Sequence, residues 1–275
     1  MTSLATDTTP IIEVTDVVTH YGSRKILNEV SVNIQPGEIM VIMGGSGSGK
    51  STLLRHLIGL ERVSTGSIRL LGHDIGQMSD HELTRFYRKL GVAFQGGALF
   101  SSMTVGENIM LPLREHTTLD EKTMKIMTRM KLEVVNLAGF ENLMPSELSG
   151  GMLKRAAFAR AVIMDPALLF CDEPSAGLDP VVSSSLDELI LQLRDALNMT
   201  IVVVTHELES AFRIADRITV LDKGNVLMIG SIEEVRASQN TRIQDLLQRR
   251  FEEDTLDPDE YLARLTGESI EETTI

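Results

Sequence analysis

The feature that most constrains this chain is an eight-residue loop set between a buried strand and a helix. Ile39–Met43 is a short, unbroken apolar run, as expected of a strand covered on both faces. Gly44-Gly45-Ser46-Gly47-Ser48-Gly49-Lys50-Ser51 follows it and fits G-x-x-x-x-G-K-[ST]. Ser51–Leu60 then reads as a helix. The glycines let successive backbone N–H groups point inward at one anion, and the helix start adds the positive end of its dipole. A loop of this kind cradles phosphates. Lys50 is expected to reach the β and γ phosphates of a nucleotide. The Ser51 hydroxyl is expected to hold Mg²⁺, and Thr52, with the loop, is expected to bind ATP.

Two further segments carry the same chemistry. Ala167–Cys171 is a strand-like run that ends in Asp172-Glu173. A buried strand that delivers two carboxylates beside a phosphate loop suits Mg²⁺ coordination by Asp172. Glu173 is then placed to polarise an attacking water. Leu148-Ser149-Gly150-Gly151-Met152 precedes a run rich in Ala and Arg. Ser-Gly-Gly at a helix N-terminus offers a hydroxyl and free N–H groups, a second anion-binding arrangement, although an ordinary serine N-cap reads the same way. His206 closes the apolar run Thr200–Thr205. His206-Glu207 and His81-Glu82 both lack the second histidine of H-E-x-x-H, which excludes a zinc-protease motif.

Strand-like runs alternating with helical ones predict an α/β fold with a parallel sheet. Residues 11–34 read as antiparallel strands, with Val30, Val32 and Ile34 alternating with polar residues and Tyr21-Gly22-Ser23 as a turn. Residues 95–161 differ in texture and read as a helical insertion, with Met124, Met127 and Met130 at helical spacing and Thr118 with Glu121 as a capping box. Val181–Leu197 reads as a helix, and Ile218–Leu221 and Val226–Ile229 flank a hairpin turn. The expected organisation is therefore a flexible N-terminus (1–10), a nucleotide-binding core with a β subdomain (11–94 and 162–235), the helical insertion (95–161) and a C-terminal extension (236–275).

Charge narrows the function. The net charge of −13 argues against a nucleic-acid partner, because phosphate backbones demand basic surfaces. Much of it lies after Phe251, where nine carboxylates face one arginine. Within that tail Asp257-Pro258 resembles an N-cap and first helical position, and Tyr261, Leu262 and Leu265 form a stripe. This predicts an interaction helix over 257–266. No apolar run approaches the roughly 20 residues of a membrane span, and residues 1–10 lack the basic and apolar regions of a secretory signal. The chain is expected to be soluble and to reach a membrane only through a partner. One cysteine allows no internal disulfide.

The order of these pieces (phosphate loop, Gln95, Leu148–Met152, Asp172-Glu173, Ser175–Asp179, His206) resembles the nucleotide-binding subunit of ABC transporters. The resemblance covers about 11–235. It implies a P-loop NTPase (RecA-like) core with an N-terminal antiparallel β subdomain and an inserted helical subdomain. It also implies ATP and Mg²⁺ as ligands and roles for matching residues. Tyr21 would stack on adenine. Gln95 would sense Mg²⁺ and the attacking water near the membrane partner, and Asp172 would hold Mg²⁺. Glu173 would be the catalytic base, Asp179 would sit at a dimer interface, and His206 would contact the γ phosphate. Family members form head-to-tail dimers, so Ser149, Gly150, Gly151 and residue 152 of one chain would close over ATP held by Lys50 of the other. The family usually has Gln where this chain has Met152.

A narrower resemblance rests on Gly97–Met103, Leu111–His116 and Leu143–Glu147 leading into the signature and Lys154–Ala157. These stretches are similar to Mla-type ATPases, which move phospholipids across the Gram-negative envelope with lipid-binding MCE proteins. The implied setting is the cytoplasmic face of the inner membrane, with integral permease subunits and a small accessory cytoplasmic subunit. Other ABC importers and exporters are the alternative. Soluble ABC ATPases acting on DNA or ribosomes fit less well, because the chain has no coiled-coil insertion and one phosphate loop.

Overall fold

The computed structural model describes residues 9–248. The interaction helix expected over 257–266 lies outside them. Among the described residues, ten strands form two sheets. β1 (Ile12–Tyr21), β2 (Arg24–Ile34), β4 (Thr65–Leu70) and β5 (His73–Asp74) make an antiparallel sheet in the order β2-β1-β4-β5. β3 (Ile39–Gly44), β6 (Leu90–Ala93), β7 (Leu168–Asp172), β8 (Thr200–Thr205), β9 (Arg217–Asp222) and β10 (Asn225–Gly230) make the second, in the order β10-β9-β3-β8-β7-β6. All pairs of that sheet are parallel except the β9–β10 hairpin.

The apolar runs at the centre of this sheet are buried on both faces, and their period-2 geometry divides them between two cores. Ile39, Val41 and Met43 of β3, Ile201 and Val203 of β8, and Leu169 and Cys171 of β7 enter one core. That core is completed by α3 (Val105–His116), α4 (Glu121–Val134), α5 (Gly150–Ala161), α6 (Pro180–Leu197) and α7 (Leu208–Ile214). The alternate residues, Met40, Ile42, Val202, Val204, Leu168 and Phe170, pack with the antiparallel sheet, α1 (Lys50–Leu57) and α2 (Asp80–Phe86). Two short helices, α8 (Ile232–Ala237) and α9 (Thr241–Leu247), end the described chain. No helix among the described residues is long and apolar enough to cross a membrane.

Local chemistry sets the helix ends. Asp179 caps α6, and its carboxylate accepts from the N–H groups of Val181 and Val182. α1 stops at Leu57, three residues before the expected Leu60, because Gly59 takes a left-handed φ of 71° just past the helix end. α4 begins differently from the expectation. Asp120, not Thr118, is the N-cap, and it accepts from both the N–H and the hydroxyl of Thr123. Met124, Met127 and Met130 all lie in α4, as their helical spacing predicts. Met124, Thr128 and Leu132 are buried, whereas Met130 is exposed. Steps of three residues drift by about 60° each around a helix, so Met130 ends roughly 120° from Met124. Steps of four stay on the buried face.

Candidate active site

Parallel register brings the site together. Met43 of β3 lies opposite Thr205 of β8, and Val204 of β8 lies opposite Asp172 of β7. The C-terminal ends of these strands open at one edge, the place where α/β sheets bind ligands. A cavity of about 910 Å³ lies there. Gly44, Gly45, Ser46, Gly47, Lys50, Ser51, Gln95, Asp172, Glu173 and His206 line it.

The loop between β3 and α1 depends on glycine at particular points. Gly47 and Gly49 have φ of 72° and 102°. A Cβ on Gly49 would meet Leu27 Cδ2 at 2.7 Å, and one on Gly44 would meet the Leu221 carbonyl oxygen at 2.2 Å. No side chain caps α1, which leaves its first N–H groups available to a ligand. Lys50 folds back over the loop and donates to the carbonyl oxygens of Gly44 and Gly45, each at 2.9 Å. Its amine is buried, and burial lowers its pKa against the pull of Glu173 and Asp172. Ser51 is exposed at the helix start, and the buried hydroxyl of Ser48 has no hydrogen-bond partner.

The two carboxylates have different surroundings. Burial, and then the adjacent charge of Glu173, pushes the Asp172 pKa up against the pull of Arg55 and Lys50. An ionised Asp172 therefore lies under an electrostatic load that a cation would relieve. Exposed Ser51 and half-buried Asp172 supply the hard oxygen ligands Mg²⁺ prefers. No cluster of three or more His, Cys, Asp or Glu side chains placed to share a metal ion occurs among the described residues. Glu173 has a left-handed backbone, with φ of 46°. Its carboxylate is anchored by the Thr205 hydroxyl at 3.1 Å, the His206 N–H at 3.4 Å and the His206 ring Nδ1 at 2.8 Å. Cys171 is wholly buried beside this pair, and burial pushes its thiol pKa up, so it acts as packing.

Several expected site residues lie outside the cavity. Tyr21 ends β1 at the hairpin, exposed, with its hydroxyl donating to Glu61 at 2.6 Å. Ser48, Gly49 and Thr52 are part of the loop and helix but do not line the cavity. Ser149 caps α5, accepting from the Met152 N–H at 3.3 Å, and none of residues 149–152 reaches the cavity. Asp179 is engaged in capping α6. Sequence reasoning missed Asp187, a cavity residue on α6 that is nearly fully buried and bonded to the Ser210 hydroxyl. The signal was available, because Asp187 falls among Leu186, Leu189 and Ile190 on the apolar face of its helix.

A profile of the ABC transporter family matches residues 27–176, more than half of the chain. The chain belongs to the ABC transporter family. Within it the chain is 40% identical to the intermembrane phospholipid transport system ATP-binding protein MlaF of Haemophilus influenzae, over 86% of this chain and 90% of that one. It is also 40% identical to the probable ribonucleotide transport ATP-binding protein mkl of Mycobacterium leprae, over 87% of this chain and 69% of that one. Among solved structures it resembles the dimeric bacterial ABC transporter cassette MJ0796, with a TM-score of 0.75, 32% identity, and coverage of 80% of this chain and 98% of that one. A post-hydrolysis dimer of the same cassette, bound to ADP and Pi, matches with a TM-score of 0.74 and 30% identity. The chain is an ABC ATPase with the P-loop NTPase fold and is homologous to MlaF.

Proposed function

We propose that the chain drives a membrane permease as a head-to-tail homodimer, with two ATP molecules held between the two copies. The observation that supports this most is the placement of the two glycine-rich helix starts. The cavity gathers Lys50, Ser51, Gln95, Asp172, Glu173 and His206, while Ser149–Met152 face elsewhere. A second copy can supply Ser149, Gly150 and Gly151 to ATP bound at Lys50, and Asp179 then faces the dimer interface.

In this reading the nucleotide core spans 11–94 and 162–235, the helical subdomain 95–161 carries the signature, and 236–275 forms an extension. Tyr21 stacks on adenine. Ser51, Asp172 and Gln95 would hold Mg²⁺, which would supply positive charge against the phosphates. Glu173, fixed by Thr205 and His206, accepts a proton from the attacking water, and the exposed His206 ring meets the γ phosphate. The MlaF relationship favours phospholipids as the transported class. It also favours MCE-type and small accessory partners, and the cytoplasmic face of the inner membrane as the location. Equal identity to mkl keeps ribonucleotides as a second reading.

Glu173→Gln is expected to retain ATP binding, lower turnover by about 10²–10⁴-fold, and trap an ATP-bound dimer on size exclusion. Normal turnover in that variant would refute the base assignment. Purification with native partners in mild detergent, followed by mass spectrometry of proteins and lipids, separates the substrate classes. Enrichment of phospholipid and lipid-binding partners is expected, and a nucleoside permease would overturn the lipid reading.

A further inference from the structure

Lys154 is a buried cation that the mechanism above does not use. It lies on α5 and is 8% exposed, with no ion pair among the described residues. Its ammonium donates to two backbone carbonyls, that of Ala176 at 2.8 Å and that of Glu173 at 3.2 Å. Burying a charge is costly, and burial lowers the pKa of this amine against the pull of Glu207 and Glu173.

The carbonyls it holds belong to a strained segment. Glu173 takes a φ of 46°, a left-handed conformation that is strained for a non-glycine residue. Ser175, two residues on, is fully buried with an unpartnered hydroxyl. The same face of α5 packs further along the segment. A Cβ on Gly150 would lie 3.4 Å from Leu178 Cδ2, and one on Gly151 would lie 2.6 Å from Val182 Cγ1. Arg155 continues the seam through Ser185, with its guanidinium 2.6 Å from the hydroxyl oxygen. Packing and hydrogen bonds therefore join the start of α5 to the chain from Glu173 to Ser185.

We propose that Lys154 is a positioning residue that couples the two ATP sites of the dimer by tying the helix that closes on the partner's ATP to the backbone of this chain's own catalytic base. The proposal rests on the reading of Glu173 as base and of Ser149–Gly151 as the contact made in trans. Closure of α5 on one nucleotide then pulls, through Lys154, on the carbonyl of Glu173 at the other.

The test uses the full chain and steady-state ATPase measurements across ATP concentration. Lys154→Met keeps the length of the side chain and removes the donors. It is expected to lower kcat by about 10–100-fold with KM within about twofold, the pattern of a lost transition-state interaction. The wild-type chain is expected to show a Hill coefficient above one and Lys154→Met a coefficient of one, and the Lys154→Met, Glu173→Gln double variant should still form an ATP-dependent dimer. Lys154→Arg, which retains two donors, should recover most of the rate and the cooperativity. Unchanged kcat and Hill coefficient in Lys154→Met would overturn the proposal. So would a parallel loss of ATP binding and dimerisation, or an arginine variant as impaired as the methionine one. If thermal melting shows that Lys154→Met does not fold, Lys154→Leu, which also removes the donors, carries the same readouts. The Glu173→Gln variant alone separates the levels. Normal turnover there removes the base reading itself, whereas a trapped dimer beside a wild-type Lys154→Met removes only the coupling.

Discussion

Two glycine-rich helix starts carry the anion-binding potential of this chain, and they are prepared for it in opposite ways. At α1 nothing caps the helix, the loop holds two left-handed glycines, and Lys50 rests on the carbonyls of its own loop. The first N–H groups of α1 have no side-chain cap. At α5 the Ser149 hydroxyl already accepts from the Met152 N–H, and the helix is joined to the segment 173–185 by packing and by Lys154. The first start is a site made ready for a ligand. The second is a capped helix end packed against the segment 173–185. The difference teaches that a glycine-rich helix start, with its dipole, can be left open in one place and closed by its own cap in another.

Lys50→Ala attacks this comparison at its strongest point. Removing the one cation of the loop should weaken ATP binding by at least about 10²-fold, since charge-assisted bonds to phosphate are among the strongest available, and turnover should be abolished. Isothermal titration with ATP reads this directly, and near-normal affinity would reduce the loop to a simple turn. Gly151→Ala attacks the other side. The new Cβ would sit 2.6 Å from Val182 Cγ1, so the start of α5 must shift. Turnover should fall about tenfold, a loss of order 1.4 kcal/mol, while ATP affinity of the isolated chain stays unchanged. Weakened ATP binding in the monomer would place residue 151 in the same site as Lys50 and dissolve the distinction.

A stability measurement sharpens the account of the first site. The Asp172 pKa is raised in the folded chain, chiefly by burial and then by Glu173. A raised carboxyl pKa means the folded state holds its proton more tightly than the unfolded chain does. That contribution to stability is present at low pH and is lost as pH rises through the folded pKa. At neutral pH the ionised group opposes folding of the nucleotide-free protein. Asp172→Asn should therefore raise the melting temperature by a few degrees at most and blunt the further rise that Mg-ATP gives. A lower melting temperature without nucleotide would contradict the electrostatic argument.

What the sequence made legible follows from range. The buried strands β3, β7 and β8 and the loop before α1 were readable because apolar runs, glycine spacing and terminal carboxylates are local signals. Asp172 and Glu173 could be placed beside the phosphate loop because they end a buried strand, whereas His206 was joined to them only by the resemblance to ABC transporters. The start of α4 was misread because two competent caps, Thr118 and Asp120, stand two residues apart, and only Asp120 lies where both its oxygens meet Thr123. The stretch 60–94 gave little, since β4, α2 and β6 are short and partly exposed. The contacts of Lys154 with Glu173 and Ala176 span about twenty residues and join different elements, and no pattern of residue types announces them.

The smallest expected effect belongs to Met152, where the family usually has Gln. Its side chain is half-buried and packs against the core shared by α3, α5 and α6, while its backbone N–H serves the Ser149 cap. It faces its own chain. Met and Gln have similar helix propensity, and a half-buried position tolerates the polar amide at modest cost. Met152→Gln should change turnover by no more than about threefold and stability by under about 1 kcal/mol, measured by ATPase rate and thermal melting. A gain of tenfold or more would mean that residue 152 touches nucleotide across the dimer. The start of α5 would then be a ligand site waiting for a donor, much closer in kind to the start of α1 than its capped geometry allows.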